Sequence, residues 1–342
     1  METIFFPPEW HNQSAIQLTW PHKGTDWADM LEEVLPCFVS IAREVLKRER
    51  LVIVCENAEK VLSHLGGFNL KNLKLLQFKS DDTWARDHGG ISVFINGKPE
   101  LYDFTFNGWG KKFSAVNDNR ITGSMFNKKI FANNVNYSGL RPFILEGGSI
   151  ETDGKGILLT TEQCLLAPNR NQPMTRDEIE FYLMKNLGIS KVLWLQNGYL
   201  AGDDTDGHID MLARFCNEKT IAYICAKDKN DEHTMALRRM EEELESFTTF
   251  TGEPYKLIPL PMADAVYHEG DRLPASYANF LIINGAVLLP YYNTELDNVA
   301  KRQLEIAFPN REIIGIDCLP LIKQHGSLHC LTMQYPERFI EF

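Results

Sequence analysis

Apolar residues along this chain recur with two different periods. Between residues 25 and 46, Leu31, Leu35, Phe38, Ile41 and Val45 return every three or four positions, which gathers them on one helical face. That spacing predicts a helix from about Thr25, with Pro36 marking a kink or a break because proline lacks the N–H of the helical ladder. A second helix is predicted from Thr175, where Glu178 three residues on completes a capping box. A third follows from Thr294 through Leu296, Val299, Leu304 and Ile306, and the charge-dense segment from Glu232 to Phe247 predicts a fourth, half-exposed one.

Between these segments lie short apolar runs rich in Val, Ile and Leu: 51–55, 73–78, 91–95, 157–161, 192–195, 221–225, 280–283, 287–289 and 312–316. Each is of strand length. Strands alternating with helices imply an α/β architecture. Glycine-led segments that turn into a strand recur at Gly89-Gly90-Ile91, Gly147-Gly148-Ser149, Gly207-His208-Ile209 and Gly326-Ser327-Leu328. With the strand at Phe280 they make about five units across the chain. No low-complexity linker interrupts them, so residues 1–342 are expected to form a single domain.

Composition narrows the function classes. A formal net charge of −11 disfavours nucleic acid and anionic membranes as partners, since both reward a basic surface. The first residues carry Glu2, Glu9 and Pro7-Pro8 rather than a basic start and an apolar core, and no apolar stretch reaches the length of a membrane span. A cytoplasmic protein is the expectation. Seven cysteines, an odd number without CxxC spacing, argue against a disulfide framework and a structural zinc site. Most lie in apolar runs; Cys330 does not.

Four polar constellations stand out. Asp206-Gly207-His208-Ile209-Asp210 leads into an apolar run; read as a strand, it places His208 and Asp210 on one side, an acid/base beside an anion. A zinc reading lacks a third ligand, because the other histidines show no HExxH spacing. In Gly326-Ser327-Leu328-His329-Cys330, the same alternation points His329 away from Cys330, so a base for that thiol has to come from elsewhere, such as His208. Asp82-Thr83-Trp84-Ala85-Arg86-Asp87 and Glu146-Gly147-Gly148-Ser149 set carboxylates just ahead of strands, where α/β folds place site residues. Singly, each has an ordinary explanation as a turn, a surface ion pair or a buried thiol. Together, paired carboxylates suit a planar guanidinium, which they hold through charge-assisted hydrogen bonds.

With these motifs the sequence resembles the agmatine deiminases, within the guanidine-modifying group that also holds arginine deiminases, protein-arginine deiminases and dimethylarginine hydrolases. The resemblance runs from Pro8-Glu9-Trp10 and Thr19-Trp20-Pro21 through Asn107-Gly108-Trp109-Gly110, Asp204-Thr205-Asp206-Gly207-His208-Ile209-Asp210 and Ala275-Ser276-Tyr277-Ala278-Asn279-Phe280 to His329-Cys330. It implies a five-bladed, pseudo-symmetric α/β propeller with a central site, no cofactor or metal, and a homodimer. It also implies that Cys330 is the nucleophile, His208 the acid/base, Asp87 and Asp210 the guanidinium clamp, and Glu146 the carboxylate orienting the histidine. Trp84 becomes the substrate wall and Asp204 the partner of the agmatine ammonium. Two segments depart from the family pattern: His88-Gly89-Gly90 lacks the usual proline, and Gln324-His325-Gly326-Ser327-Leu328 replaces a glycine-rich loop with asparagine.

Other readings concern the substrate's tail. A deiminase of free arginine needs a cation for the α-carboxylate, and the cluster Asp203, Asp204 and Asp206 opposes one. A secreted deiminase of peptidyl arginine is expected to carry an export signal and added domains. An amidinotransferase uses similar residues, and a non-catalytic guanidine-binding module would be expected to lack the nucleophile.

Overall fold

The computed structural model describes residues 2–226 and 228–342, apart from the side chains of residues 140 and 141. The deepest strands are the most continuously apolar. Leu51, Val52, Ile53 and Val54 are fully excluded from solvent within the strand Arg50–Cys55, which pairs in parallel with Gln13–Thr19 on one side and Leu73–Gln77 on the other. A parallel strand covered on both faces has no solvent side toward which to alternate.

Five sheets share one pairing scheme, in which a first strand runs antiparallel to a second and the second runs parallel to a third. They are built on Ile91–Ile95, Lys98–Thr105 and Asn136–Ile144; on Glu151–Thr152, Ile157–Thr161 and Lys191–Leu195; and on Ala213–Asn217, Thr220–Cys225 and Lys256–Pro261. The fourth uses Leu281–Ile283, Ala286–Tyr291 and Glu312–Asp317. The fifth joins the two ends of the chain, pairing Thr332–Pro336 with Gln13–Thr19 and then Arg50–Cys55. Parallel neighbours need a long crossover. Helices Leu31–Leu46, Ile121–Asn127, Arg176–Leu187, Thr234–Ser246 and Leu296–Ala307 each lie in one of these crossovers. The result is a mixed α/β fold, and no helix among the described residues is long and apolar enough to cross a membrane.

Local chemistry explains most element ends. Thr175 and Glu178 form the expected capping box, and Gly188 closes the same helix at φ +67°. The helix expected from Thr25 begins as α-helix only at Leu31, after a short 3-10 turn. Pro36 does not break it. In the second turn it forfeits one backbone hydrogen bond, while Val34, Phe38, Ile41 and Val45 keep that face in the core.

The strand expected through His208 and Asp210 does not form. Ile209–Met211 is a 3-10 turn and the strand begins at Ala213. The reason is local: His208 N–H bonds Thr205 Oγ1 and Leu212 N–H bonds the Ile209 carbonyl, so these amides are satisfied without a strand partner. His329–Leu331 is likewise a 3-10 turn ahead of Thr332–Pro336, so strand alternation does not govern His329 and Cys330 either. Ala85–His88 and Gly147–Ser149 are short helical turns in the equivalent place.

Candidate active site

A turn precedes the first strand of each sheet, helical in four of them, and the residues they carry meet. Cys330 Sγ lies 3.9 Å from Asp210 Oδ2 and 3.5 Å from Asn279 Oδ1. Asn279 belongs to the turn before Leu281–Ile283, and its Oδ1 also accepts the His329 amide at 2.9 Å. That amide group therefore fixes the backbone that presents the sulfur. Cys330 opens onto a cavity of about 200 Å³ walled by Trp84, Trp109 and Phe113, with Asp26, Asp82, Asp87 and Asp204 around it. This is below the roughly 300–1,000 Å³ of sites for drug-sized ligands and suits a small linear molecule.

Asp87 is held from several sides. Trp109 Nε1 donates to Oδ2 at 3.0 Å, the Gly148 amide donates to Oδ1 at 3.0 Å, and His208 Nδ1 stands 3.6 Å from that same oxygen. A β-carbon on Gly148 would fall 2.6 Å from His208 Nδ1, 2.8 Å from Asp87 Oδ1 and 3.1 Å from Asp210 Oδ2. Only glycine leaves room for these three groups to converge. Behind the imidazole, Nε2 lies 3.8 Å from Glu146 Oε2, and Arg170 Nε lies 2.8 Å from Glu146 Oε1. Both His208 ring nitrogens are buried without a hydrogen-bond partner among the described residues.

The charges follow from this packing. Burial would pull the His208 imidazole down, but Asp87, together with the Cys164 thiol and Glu146, outweighs it and holds the ring well above its ordinary value. Burial would lift Glu146, yet His208 and Arg170 draw it below the ordinary glutamate range. Asp87 is pushed up to about 6, by burial and then by Asp210 and Glu146, against the pull of His208. The Cys330 thiol is pushed well up by burial and by the carboxylates of Asp210 and Asp87.

On the far side of Asp210 lies a second buried chain of charges. His329 Nδ1 is 2.7 Å from Asp210 Oδ2, its Nε2 is 2.6 Å from Glu9 Oε2, and Glu9 Oε2 is 2.9 Å from Arg214 Nη2. Arg214 Nε in turn bonds Glu151. His329 thus lies between two carboxylates, and it shares Asp210 Oδ2 with Cys330 Sγ instead of standing across a strand from it.

Two buried donor sets are compact enough to enclose an ion, Glu146 with Cys164 and His208, and Glu9 with Glu151 and His329. In each an arginine already supplies the positive charge: Arg170 beside Glu146, and Arg214 between the two glutamates. The donor sets therefore fit ion pairing better than metal binding.

All seven residues singled out from the sequence bear on this place. Cys330, Asp87, Trp84 and Asp204 line the cavity, while His208, Asp210 and Glu146 are buried directly behind it. Trp84 is steadied by an Nε1 bond to Asp82 Oδ2 at 3.0 Å, and its ring packs so closely on Gly326 that a β-carbon there would fall 2.4 Å from it. Asp204 is pushed up to about 6 by burial and by Asp203, against the pull of His325 and Lys112. Sequence reasoning missed Asn279, Trp109, Asp82, Arg170 and Glu9 as site residues; three of them lay within the runs that carried the resemblance, without a charge pattern to mark a role.

Comparison with known proteins agrees with this geometry. The Porphyromonas-type peptidyl-arginine deiminase family matches residues 5–336. The agmatine deiminase of Stutzerimonas stutzeri is 30% identical over 98% of this chain and 96% of its own. A crystal structure from Porphyromonas gingivalis superposes with a TM-score of 0.96 at 54% identity, covering 99% of this chain and 100% of that one. A cysteine-to-serine variant of the C. jejuni agmatine deiminase with substrate bound superposes at 0.91 and 36% identity, over 98% and 96% of the two chains. With a family match over almost the whole chain and this likeness in fold, the chain belongs to the Porphyromonas-type peptidyl-arginine deiminase family.

Proposed function

We infer that the protein is an agmatine deiminase, an enzyme that hydrolyses agmatine to N-carbamoylputrescine and ammonia. One observation carries the choice of substrate: the cavity reached by Cys330 is lined by four carboxylates, Asp26, Asp82, Asp87 and Asp204, and by no lysine or arginine among the described residues. Agmatine is cationic at both ends. Arginine would bring its α-carboxylate into this acidic lining with no lysine or arginine there to meet it. Relatives bearing the agmatine deiminase name support the same reading.

The chemistry then assigns each group a task. Asp87 and Asp210 hold the guanidinium, and Trp84 and Trp109 flank it with π faces suited to a cation. Burial, and then Asp210 and Asp87, oppose ionisation of the Cys330 thiol in the free site. A bound guanidinium offsets the repulsion of the two carboxylates, so the substrate's own charge favours the thiolate, with the thiol proton passing to solvent. Sulfur attacks the guanidinium carbon, and His208, charged and fixed near Asp87 and Glu146, gives its proton to the departing nitrogen. Ammonia leaves and a thiouronium remains on Cys330. His208 next takes a proton from water, which adds to the same carbon; the C–S bond then breaks as the new hydroxyl gives its proton to the leaving sulfur, and the ureido product departs from the restored Cys330 thiol. Asp204 receives the distal ammonium.

The finer architecture belongs to the same proposal. Residues 1–342 act as one catalytic domain, with the five sheets as blades of a propeller. This is supported by their common pairing scheme and by the turn that each contributes to one site. Seven cysteines, none in a disulfide among the described residues, suit a reducing cytoplasm, and the working assembly is a homodimer, testable by light scattering.

The test is incubation with agmatine, arginine and a blocked arginyl peptide while ammonia and ureido product are measured. Turnover of agmatine far above the other two is the expected result. Equal turnover of arginine overturns the substrate assignment, and binding without turnover favours a guanidine-binding module.

A further inference from the structure

The Asp210 carboxylate divides its two oxygens between different tasks. Oδ2 lies 2.7 Å from His329 Nδ1, whereas Oδ1, equally buried, has no hydrogen-bond partner among the described residues. The other nitrogen of the His329 ring, Nε2, lies 2.6 Å from Glu9 Oε2. Each of these contacts needs one proton between its heavy atoms, and an ionised carboxylate brings none. With carboxylate oxygens on both sides, the ring is placed to donate from both nitrogens.

Glu9 is itself fixed. The Ile282 amide donates to its Oε1 at 2.7 Å, Arg214 Nη2 donates to Oε2 at 2.9 Å, and Arg86 Nη2 stands 3.5 Å from Oε2. We propose that His329, braced by Glu9, is a positioning residue for Asp210, engaging Oδ2 so that Oδ1 is left turned to the substrate guanidinium. This rests on the reading of Asp210 as half of the guanidinium clamp.

The electrostatics require such a partner. His329, His208, Arg214 and Arg86 face Asp210 with positive charge, while Asp87 and Cys330 face it from the cavity side. His329 is faced in turn by Asp210, Glu9 and Glu151, with Arg214 beyond them. Burial alone would raise the Asp210 carboxyl; the His329 hydrogen bond and charge lead the effects that hold it below its ordinary value. Without them, two neighbouring carboxylates in a dry site could not both stay ionised. His329 therefore lets Asp210 remain an anion beside Asp87. It also turns part of the negative charge away from the sulfur that has to ionise 3.9 Å from Oδ2.

The experiment is a double-mutant cycle of His329→Gln and Asp210→Asn. It is read as kcat/KM for agmatine against pH, and as agmatine binding by calorimetry in a Cys330→Ala background. His329→Gln is expected to lower kcat/KM by about 10- to 100-fold, the size typical of groups that orient a directly contacting ligand, chiefly through KM. It moves the acidic limb to higher pH and adds little once Asp210 is Asn. Glu9→Gln acts in the same direction with smaller size. An acidic limb that stays in place, or single effects that multiply in the double variant, overturns the proposal. If His329→Gln does not fold, the cycle of Glu9→Gln with Asp210→Asn decides the question by the same two outcomes. Wild-type protein that binds agmatine without turning it over overturns the deiminase reading alone, and the cycle is then decided by binding. Loss of agmatine binding in Cys330→Ala protein with His329 intact overturns both.

Discussion

Gly148 touches Asp87 through its backbone alone: its amide lies 3.0 Å from Oδ1, and a β-carbon in its place would fall 2.8 Å from that oxygen. The same β-carbon would stand 2.6 Å from His208 Nδ1, so Gly148→Ala must displace the imidazole, the carboxylate or its own turn, Gly147–Ser149. A displacement of about 1 Å in such a site can lower turnover by roughly 100-fold. Gly148→Ala is expected to lose at least that much in kcat while its melting temperature falls by only a few degrees. Near-native turnover would mean that these groups do not act from the places they occupy.

Asp87, pushed up to about 6 by burial first and then by Asp210 and Glu146, has to be ionised to hold a guanidinium. Its carboxylate is present above that pH and lost below it, so kcat/KM for agmatine is expected to fall as the pH drops through about 6. Trp109→Phe removes the indole N–H that stabilises the anion and should move this limb upward. A pH–rate profile settles it; an acidic limb near 4 in both proteins would separate Asp87 from the limb.

Cys330, His208, Asp87 and Asp210 are legible in the sequence because each is a chemistry-bearing side chain next to a glycine or an apolar run, and guanidinium recognition links them. The local geometry is not legible. Short helical turns satisfy their own amides, so the strand alternation applied to His208 and His329 has no strand to act on. Asn279 escapes notice for a related reason, since an amide that accepts backbone N–H groups leaves no charge pattern. Glu9 and His329 stand at opposite ends of the chain, and only closure of the fifth sheet, Thr332–Pro336 against Gln13–Thr19, brings those ends together.

The thiol of Cys330 is held well above its ordinary value by burial, Asp210 and Asp87, so the free enzyme should react slowly with iodoacetamide at neutral pH. Its alkylation rate is expected to be still climbing at pH 9. Asp87→Asn removes a negative neighbour and should speed the reaction at pH 7. Peptide mapping by mass spectrometry reads modification at Cys330. A rate that levels off below pH 8 would mean that the thiolate forms without help from substrate.

Asp204, which lines the same cavity as Cys330, separates agmatine from arginine if it receives the ammonium. Asp204→Asn is expected to raise KM for agmatine by at least tenfold with kcat little changed, since a remote grip contributes binding common to ground and transition states. Activity on arginine, which lacks that second cation, should change far less. Equal losses on both substrates would move the ammonium site to Asp82 or Asp26.

Arg170 and Glu146 form an ion pair whose side chains are each 1% exposed, with Nε 2.8 Å from Oε1; Arg170 Nη1 reaches Asp206 at 3.0 Å. Removing one partner of such a pair leaves an uncompensated buried charge, which destabilises by about 3–5 kcal/mol. Arg170→Gln should therefore lower the unfolding free energy by that amount, read as a lower denaturant midpoint at unchanged slope. The Glu146 carboxyl, now drawn down by His208 alone, should rise and weaken the hold on the imidazole. Arg170→Lys keeps the charge but not the planar fork, and is expected to recover stability more fully than turnover. A loss below about 1 kcal/mol for Arg170→Gln would mean that the pair is screened by water, and that Glu146 does not depend on it to orient His208.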